Sequence, residues 1–204
     1  NGQSVSLAGV RFVKVEVLNG HSEIDGFSMV SAGTATWTED FSTDPGSRGW
    51  RAYGDADLFR WDTGRQSLAV TWDSRRTNSF FHHSLATVLG RDDDFRVEFT
   101  LELESIAVGI DPAKPSTFEL SIGLLRLADA QRKNFFRGSG VNAAYGGRNL
   151  VEFSYFPDSG FGATLAPTIL SSNNQFASSF TFPLELTRND RFRVALAYTA
   201  SNQT

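Results

Sequence analysis

The chain has 204 residues, which is enough to bury a core as one domain. It contains no cysteine, so disulfides and thiolate metal sites are excluded. Its formal net charge of -4 gives no attraction for polyanions, and no apolar run approaches the roughly 20 residues of a membrane-spanning helix. We therefore predict neither a nucleic-acid partner nor insertion into a membrane.

The first predicted element is a hairpin within residues 1–33. Alternating apolar positions indicate a strand over Val10–Leu18, Asn19-Gly20 is a turn signal, and Glu23–Val30 is the returning strand. A run of small residues follows, and we place a domain boundary there. Because two strands alone are only marginally stable, this hairpin either joins the main sheets or ends a preceding domain. The second alternative is favoured.

Residues 34–204 are predicted to form an all-β, two-sheet antiparallel sandwich. From Phe95 onward every second residue is apolar and the residues between are polar, so this strand needs a second sheet over its apolar face. The strands are predicted at Asp40–Phe41, Trp50–Trp61, Ser67–Trp72, Ser79–Leu89, Phe95–Leu103, Phe118–Leu127, Leu150–Phe156, Phe176–Leu184 and Phe192–Tyr198. A short helix or irregular loop is predicted at Leu125–Phe136. Both ends of the chain are expected to be cut, with a strand or two missing after Thr204.

Two of these strands carry a family resemblance. Asp94–Leu101 and Asp190–Thr199 resemble two strands of concanavalin A-like lectin/glucanase domains, including the laminin-G-like group. Glu39-Asp40-Phe41 followed by Trp50 is similar to the first strand of bacterial surface modules of this superfamily, and the resemblance covers roughly residues 37–204. It implies a jelly-roll sandwich in which the two strands share a sheet. It also implies a secreted or cell-surface protein of bacterial type.

If the two strands are neighbours, their outward carboxylates and arginines face one another in a structural role. The residues concerned are Glu98, Glu102, Glu104, Arg191 and Arg193.

A catalytic role for these carboxylates is disfavoured. Laminarinase-like enzymes, which belong to the superfamily that the chain resembles, carry a Glu-x-Asp-x-x-Glu motif. This strand has Thr100 at the Asp position and Leu103 at the final Glu position. Glu23–Ser28 also lacks the final Glu, so no acid is placed to protonate a leaving group. The sequence therefore predicts no catalytic residue.

Metal sites are considered at two places. His82 and His83 are adjacent, so on a strand they face opposite sides and cannot chelate one metal together. Asp92, Asp93 and Asp94 cluster before a strand, and oxygen-rich loops of this kind suit calcium, which lectin-like relatives often use. The alternative for the three aspartates is a plain acidic turn.

An aromatic surface and a long glycine-rich loop form the predicted binding site. Sugar rings stack on aromatic rings while their hydroxyls pair with polar side chains, and Trp50 and Tyr53 stand beside glycines at a strand end, where exposure is expected. The loop over residues 135–148 is long enough to line a site. The predicted ligand-binding residues are Trp50, Tyr53, Arg137, Asn142, Tyr145 and Arg148.

The sequence therefore favours a non-catalytic carbohydrate-binding or surface recognition module of an exported protein. Its partners would be glycan, or neighbouring domains or subunits. The alternative is a structural or adhesive domain of a cell-surface assembly or filament. A glycoside hydrolase or lyase stands third, because the carboxylate motif is incomplete.

Overall fold

The computed structural model describes residues 10–16, 19–31, 35–73, 76, 79–90, 92–106, 120–130, 149–157, 162–170, 176–178, 181 and 185–202. The strands are β1 Val10–Glu16, β2 Asn19–Ser31, β3 Ala35–Glu39, β4 Arg51–Tyr53, β5 Phe59–Asp62, β6 Ser67–Asp73, β7 Phe80–Leu89, β8 Phe95–Ser105, β9 Leu120–Leu125, β10 Leu150–Phe156, β11 Thr164–Leu170, β12 Phe176–Ser178 and β13 Arg191–Tyr198. A short helix, α1, spans Leu127–Ala130, and 3₁₀ turns span Pro45–Arg48 and Ala56–Leu58. The predicted all-β class is confirmed.

The strands form two antiparallel sheets. One has seven strands in the order β12-β11-β10-β9-β1-β7-β4, and the other has six in the order β13-β8-β2-β6-β5, with β3 paired to β2. The cores of both sheets belong to one cluster of buried side chains. Phe99 of β8 meets Phe153 of β10 edge-on, with ring centroids 5.8 Å apart, and Phe59 of β5 stacks on Phe81 of β7. The two sheets therefore face each other across a shared aromatic core.

The predicted hairpin at the start of the chain is wrong. β1 lies between β7 and β9 in the seven-stranded sheet, and β2 lies between β8 and β6 in the six-stranded sheet. Asn19 is already the first residue of β2 and is aligned with Asp73, so the chain passes from one sheet to the other here. The boundary after residue 33 therefore does not separate two units, and the alternative in which these strands join the main sheets is the observed one.

The alternating strand at Phe95 and the strand at Phe192 are confirmed as neighbours in one sheet. β8 and β13 are antiparallel, with Phe99 opposite Val194. The apolar residues of β8 are buried at every second position, as the period of two predicted. The predicted strand Trp50–Trp61 is two strands, β4 and β5, with a 3₁₀ turn between them.

Two neighbouring strands of the seven-stranded sheet, β9 and β10, are buried on both faces. Every residue of β9 is buried, and only Phe156 of β10 is partly exposed. Ser121 and Ser154, on the face away from the core, have hydroxyl oxygens 3.3 Å apart and no exposed surface. No helix among the described residues is long and apolar enough to cross a membrane.

Candidate functional site

A cleft of about 660 Å³ opens at the end of the sandwich where β8 and β10 finish. We call it the end cleft. Ile106 directly follows β8 and Pro157 directly follows β10, so the end cleft is built on both sheets. Its described lining residues are Ile106, Tyr155, Pro157, Glu185, Leu186, Thr187, Arg188 and Asn189.

Two backbone N–H groups of the segment 185–189 donate hydrogen bonds, one to each sheet. The backbone N–H of Leu186 donates to the phenolic oxygen of Tyr155 in β10 at 3.0 Å. The backbone N–H of Asn189 donates to the carbonyl oxygen of Leu103 in β8 at 2.8 Å. The segment 185–189, which lines the end cleft, is therefore tied to both sheets.

A tight turn presents Arg188 at the tip of this segment. The backbone N–H of Asp190 donates to the carbonyl oxygen of Thr187 at 3.4 Å, which closes the turn. Asn189, the third residue of the turn, has a φ of 63°, and asparagine is one of the residues that tolerate this left-handed conformation. Arg188 is exposed at the second position, so its guanidinium is available to a ligand.

The end cleft is lined by less exposed apolar residues, which we call its floor, and by exposed polar residues, which we call its rim. The floor contains Ile106, Pro157 and the buried Leu186, and the exposed rim residues are Glu185, Thr187, Arg188 and Asn189. Tyr155 lies behind this surface with no exposed area. Burial raises the pKa of its phenol, and the nearby charge of Glu185 raises it further, so the hydroxyl stays protonated.

The two charged rim residues have no ion pair or hydrogen bond among the residues that the structure describes. This distinguishes Arg188 from the arginines of β13, which follow it closely in the chain. Arg191 pairs with Glu102 at 3.3 Å, and Arg193 pairs with Glu98 at 2.7 Å. Arg188 and Glu185 are therefore the charges in this region that a bound molecule could satisfy.

The structure places the predicted site residue Trp50 in the core. Only 2% of its surface is exposed, and its ring stacks on Phe81 with centroids 5.0 Å apart. Its indole N–H donates to the buried carboxylate of Glu39 at 2.8 Å. The expectation that Trp50 is exposed is wrong, because a buried carboxylate requires donors and this indole supplies one.

The other predicted binding residues are not part of the described end cleft. Tyr53 is half-buried at the opposite edge of the seven-stranded sheet from β12, with its ring stacked on Phe80 at a centroid distance of 4.7 Å. The remaining four, Arg137, Asn142, Tyr145 and Arg148, lie outside the described residues.

The predicted calcium site is not formed by the three aspartates in the described structure. Asp93 accepts a hydrogen bond from the backbone N–H of Gly90 at 2.7 Å, and Asp94 accepts one from that of Ala200 at 2.6 Å. Within the described ranges no group of three His, Asp or Glu side chains could hold a metal ion. Asp93 and Asp94 therefore act as acceptors for loop backbone, and the acidic-turn alternative describes them.

The carboxylates of β8 have the structural role expected from strand pairing. Glu98 lies between Arg193 and Arg96, and hydrogen bonds from these two arginines lower its pKa. Glu102 pairs with Arg191 at 3.3 Å. Glu104 differs from the prediction, since its partner is Arg65 of the turn before β6 rather than an arginine of β13.

The adjacent histidines face opposite sides of β7, as the alternation predicted. His82 is buried beside Phe80, and His83 stacks on Trp37 with centroids 4.7 Å apart. The imidazole of His83 is half-buried and also contacts the ring of Trp50, with centroids 5.6 Å apart. Its Nε2 is 2.9 Å from the carbonyl oxygen of Arg48.

The end cleft was missed in the sequence because its parts are far apart in the chain. The turn signal Arg188-Asn189-Asp190 is visible locally, but nothing in the sequence joins it to Ile106 or Pro157.

Comparison with protein-family models, with curated proteins and with solved structures found no match.

Proposed function

We propose that this chain is a non-catalytic recognition module that binds glycan in the end cleft. The observation that carries the proposal is that one cleft is lined by both an apolar floor and a polar rim. A sugar ring has apolar C–H faces and a rim of hydroxyls, so its site needs both kinds of surface. Ile106 and Pro157 supply the first, and Glu185, Thr187 and Asn189 contribute to the second.

The size and anchoring of the end cleft support this proposal. Its volume of about 660 Å³ falls within the range of roughly 300–1,000 Å³ that is common for small-molecule sites. The bonds from Leu186 to Tyr155 and from Asn189 to Leu103 fix the rim before a ligand arrives. A fixed rim loses less conformational entropy when it binds.

The charged groups of the end cleft favour binding over hydrolysis. Glycoside hydrolysis uses two carboxyl groups on either side of the scissile bond. Glu185 is the single carboxylate among the described lining residues, and Glu98 and Glu102 are paired with arginines on the six-stranded sheet. The described site therefore lacks the second acid that a glycosidase requires.

We also propose that the sandwich is a concanavalin A-like jelly roll from a secreted or cell-surface protein of bacterial type. The pairing of β8 with β13 supports it, because the resemblance requires these strands to be neighbours. The two facing antiparallel sheets are the architecture that such a fold requires.

A glycan array tests the binding proposal with a matched pair of variants. The cleft variant carries Glu185→Gln and Arg188→Gln. The control carries Asp57→Asn and Arg60→Gln, which removes the same charges at the same spacing, and those side chains are 66% and 61% exposed. We expect the wild type and the control to bind the same saccharides, and the cleft variant to bind them roughly tenfold more weakly.

Two results would contradict the proposal. If a folded wild-type chain binds nothing on a broad array, glycan binding is rejected as the function and the structural or adhesive alternative is favoured. Equal binding by the cleft variant and the control would place the ligand elsewhere on the molecule.

A further inference from the structure

We infer that the end cleft selects uncharged, hydroxyl-rich saccharides over uronic, sulfated and amine-bearing ones, an inference that rests on the proposed function. The observation behind it is a pair of opposite charges in one cleft. Glu185 and Arg188 are three positions apart, both line the end cleft, and both are exposed. Their formal charges cancel, so the described rim carries no net charge.

The two charges do not satisfy each other. No ion pair joins Glu185 to Arg188, although eleven other carboxylate–arginine contacts are formed among the described residues. The backbone between them is tied down at Leu186, whose N–H is bonded to Tyr155. Both groups are therefore left for water or for a ligand.

The hydrogen-bonding chemistry of the two groups determines which ligand fits. A carboxylate only accepts hydrogen bonds, and a guanidinium only donates them. A sugar hydroxyl both donates and accepts, so adjacent hydroxyls on one ring can serve Glu185 and Arg188 together. Thr187 and Asn189 also carry groups that both donate and accept, so they are compatible with the same hydroxyls.

A charged substituent can serve only one of the two residues. A carboxylate or sulfate accepts from Arg188 but offers nothing to Glu185 and repels it, while an ammonium does the reverse. The residue that the substituent cannot serve loses the partner that a hydroxyl at the same position would have supplied, which is costly for a charged group from which the ligand displaces water. The net charge of -4 on the whole chain adds to the repulsion of anions.

The test uses saccharides of one stereochemistry that differ in one substituent. Cello-oligosaccharides, their C6-oxidised uronates and chitosan oligomers form such a β-1,4-linked series. If the array of the wild-type chain selects another stereochemistry, the corresponding neutral, uronate and amine forms are used. We expect the neutral member to bind about tenfold more tightly than either charged member at low ionic strength.

Single variants then separate the two charges. Glu185→Gln should raise the affinity for the uronate relative to the neutral sugar, because the repelling carboxylate is gone. Arg188→Gln should raise the relative affinity for the amine. Asp57→Asn and Arg60→Gln serve as controls, and both should leave the wild-type order of affinities unchanged.

The outcomes distinguish this inference from the function on which it rests. If no member of any series binds, the proposed function fails. If the uronate or the amine binds more tightly than the neutral sugar and the cleft variants abolish that binding, the proposed function stands and the selectivity is overturned. If the affinity for the neutral saccharide is the same in the wild type and in both cleft variants, the end cleft is not the binding site. The inference about selectivity is then also wrong.

Discussion

Tyr155 holds Leu186 through a hydrogen bond in which the backbone N–H of Leu186 donates to the phenolic oxygen at 3.0 Å. Tyr155 has no exposed surface and Leu186 is 8% exposed, so water has little access to either partner. The bond fastens the rim of the end cleft to β10. One buried phenol therefore links the core of the sandwich to the proposed binding site.

Tyr155→Phe tests this link, because it removes the acceptor and keeps the ring. A buried N–H without an acceptor costs about 1–3 kcal/mol, so we expect the free energy of unfolding to fall by that amount. Urea unfolding followed by tryptophan fluorescence measures it. Binding at the proposed site should weaken as well, since the rim of the end cleft loses one of its two anchors.

Tyr53→Phe is the matched control. Tyr53 is half-buried and stacks on Phe80, and no described residue hydrogen-bonds to its hydroxyl. We expect its unfolding free energy to stay within about 0.5 kcal/mol of the wild type. Equal losses from the two substitutions would mean that the bond to Leu186 contributes nothing specific.

His82 should make stability depend on pH near neutrality. Burial lowers its pKa below the ordinary value of 6.5, and the nearby charges of His83 and Arg51 lower it further. In the unfolded chain His82 therefore takes up a proton near pH 6.5, whereas in the folded chain it does so only at lower pH. Stability should be full above this pH and should fall as the pH drops below it.

Denaturant unfolding between pH 7.5 and pH 5 checks this expectation, with His82→Gln for comparison. The wild type should lose stability across this range, and the variant, which cannot titrate at this position, should lose less. Arg51→Gln should reduce the pH dependence in part, because one source of the pKa shift is removed. Parallel curves for the wild type and His82→Gln would show that His82 is not responsible.

Local periodicity made much of the fold predictable, and strand pairing made the rest unpredictable. The alternation that begins at Phe95 is a property of consecutive residues, so β8 could be identified from the sequence. The partners of β1 and β2 are distant in the chain, and Asn19-Gly20 looked like a hairpin turn although β2 begins there. A turn signal describes local backbone preference and not which sheet receives the strand.

Strand β11 is not among the strands predicted from the sequence, and the reason lies in its own residues. Pro167 lies within it, opposite Phe153 of β10, and a proline normally argues against an interior strand because it cannot donate to the ladder. The tertiary pairing overrides that signal. The same limit applies to the end cleft, whose floor residue Ile106 and rim residue Arg188 are brought together only by the fold.

Gly123→Ala should disrupt the centre of the seven-stranded sheet. A Cβ at this position would lie 2.1 Å from the carbonyl oxygen of Val151 and 2.5 Å from the Cα of Glu152. These are backbone atoms that cannot rotate away, so β9 and β10 would have to separate. We expect a loss at or above the roughly 1–3 kcal/mol of ordinary overpacking, measured by urea unfolding.

Gly64→Ala is the control for that substitution. The added Cβ would meet only the Asp62 carboxylate at 3.4 Å, which is ordinary contact, and the site is exposed. Its unfolding free energy should change by less than about 1 kcal/mol. If Gly123→Ala folds with wild-type stability, the close approach of β9 and β10 is incorrect.

Glu39→Gln should destabilise the aromatic core around Trp50. The Glu39 carboxylate is 2% exposed and accepts hydrogen bonds from the backbone N–H of Phe41 at 2.6 Å and the indole of Trp50 at 2.8 Å, and it also pairs with Arg48. The amide removes the negative charge and turns one acceptor into a donor that faces other donors. We expect a loss of about 2–4 kcal/mol in unfolding free energy.

Asp40→Asn separates this effect from the loss of any carboxylate near Arg48. Asp40 also pairs with Arg48, but its side chain is 69% exposed. Hydrogen bonds from Ser42 and Arg48 lower its pKa to about 2, so it is ionised at neutral pH. Near-UV circular dichroism should change for Glu39→Gln and stay unchanged for Asp40→Asn, because only the first contacts an indole. Equal spectra would show that the buried carboxylate does not order Trp50.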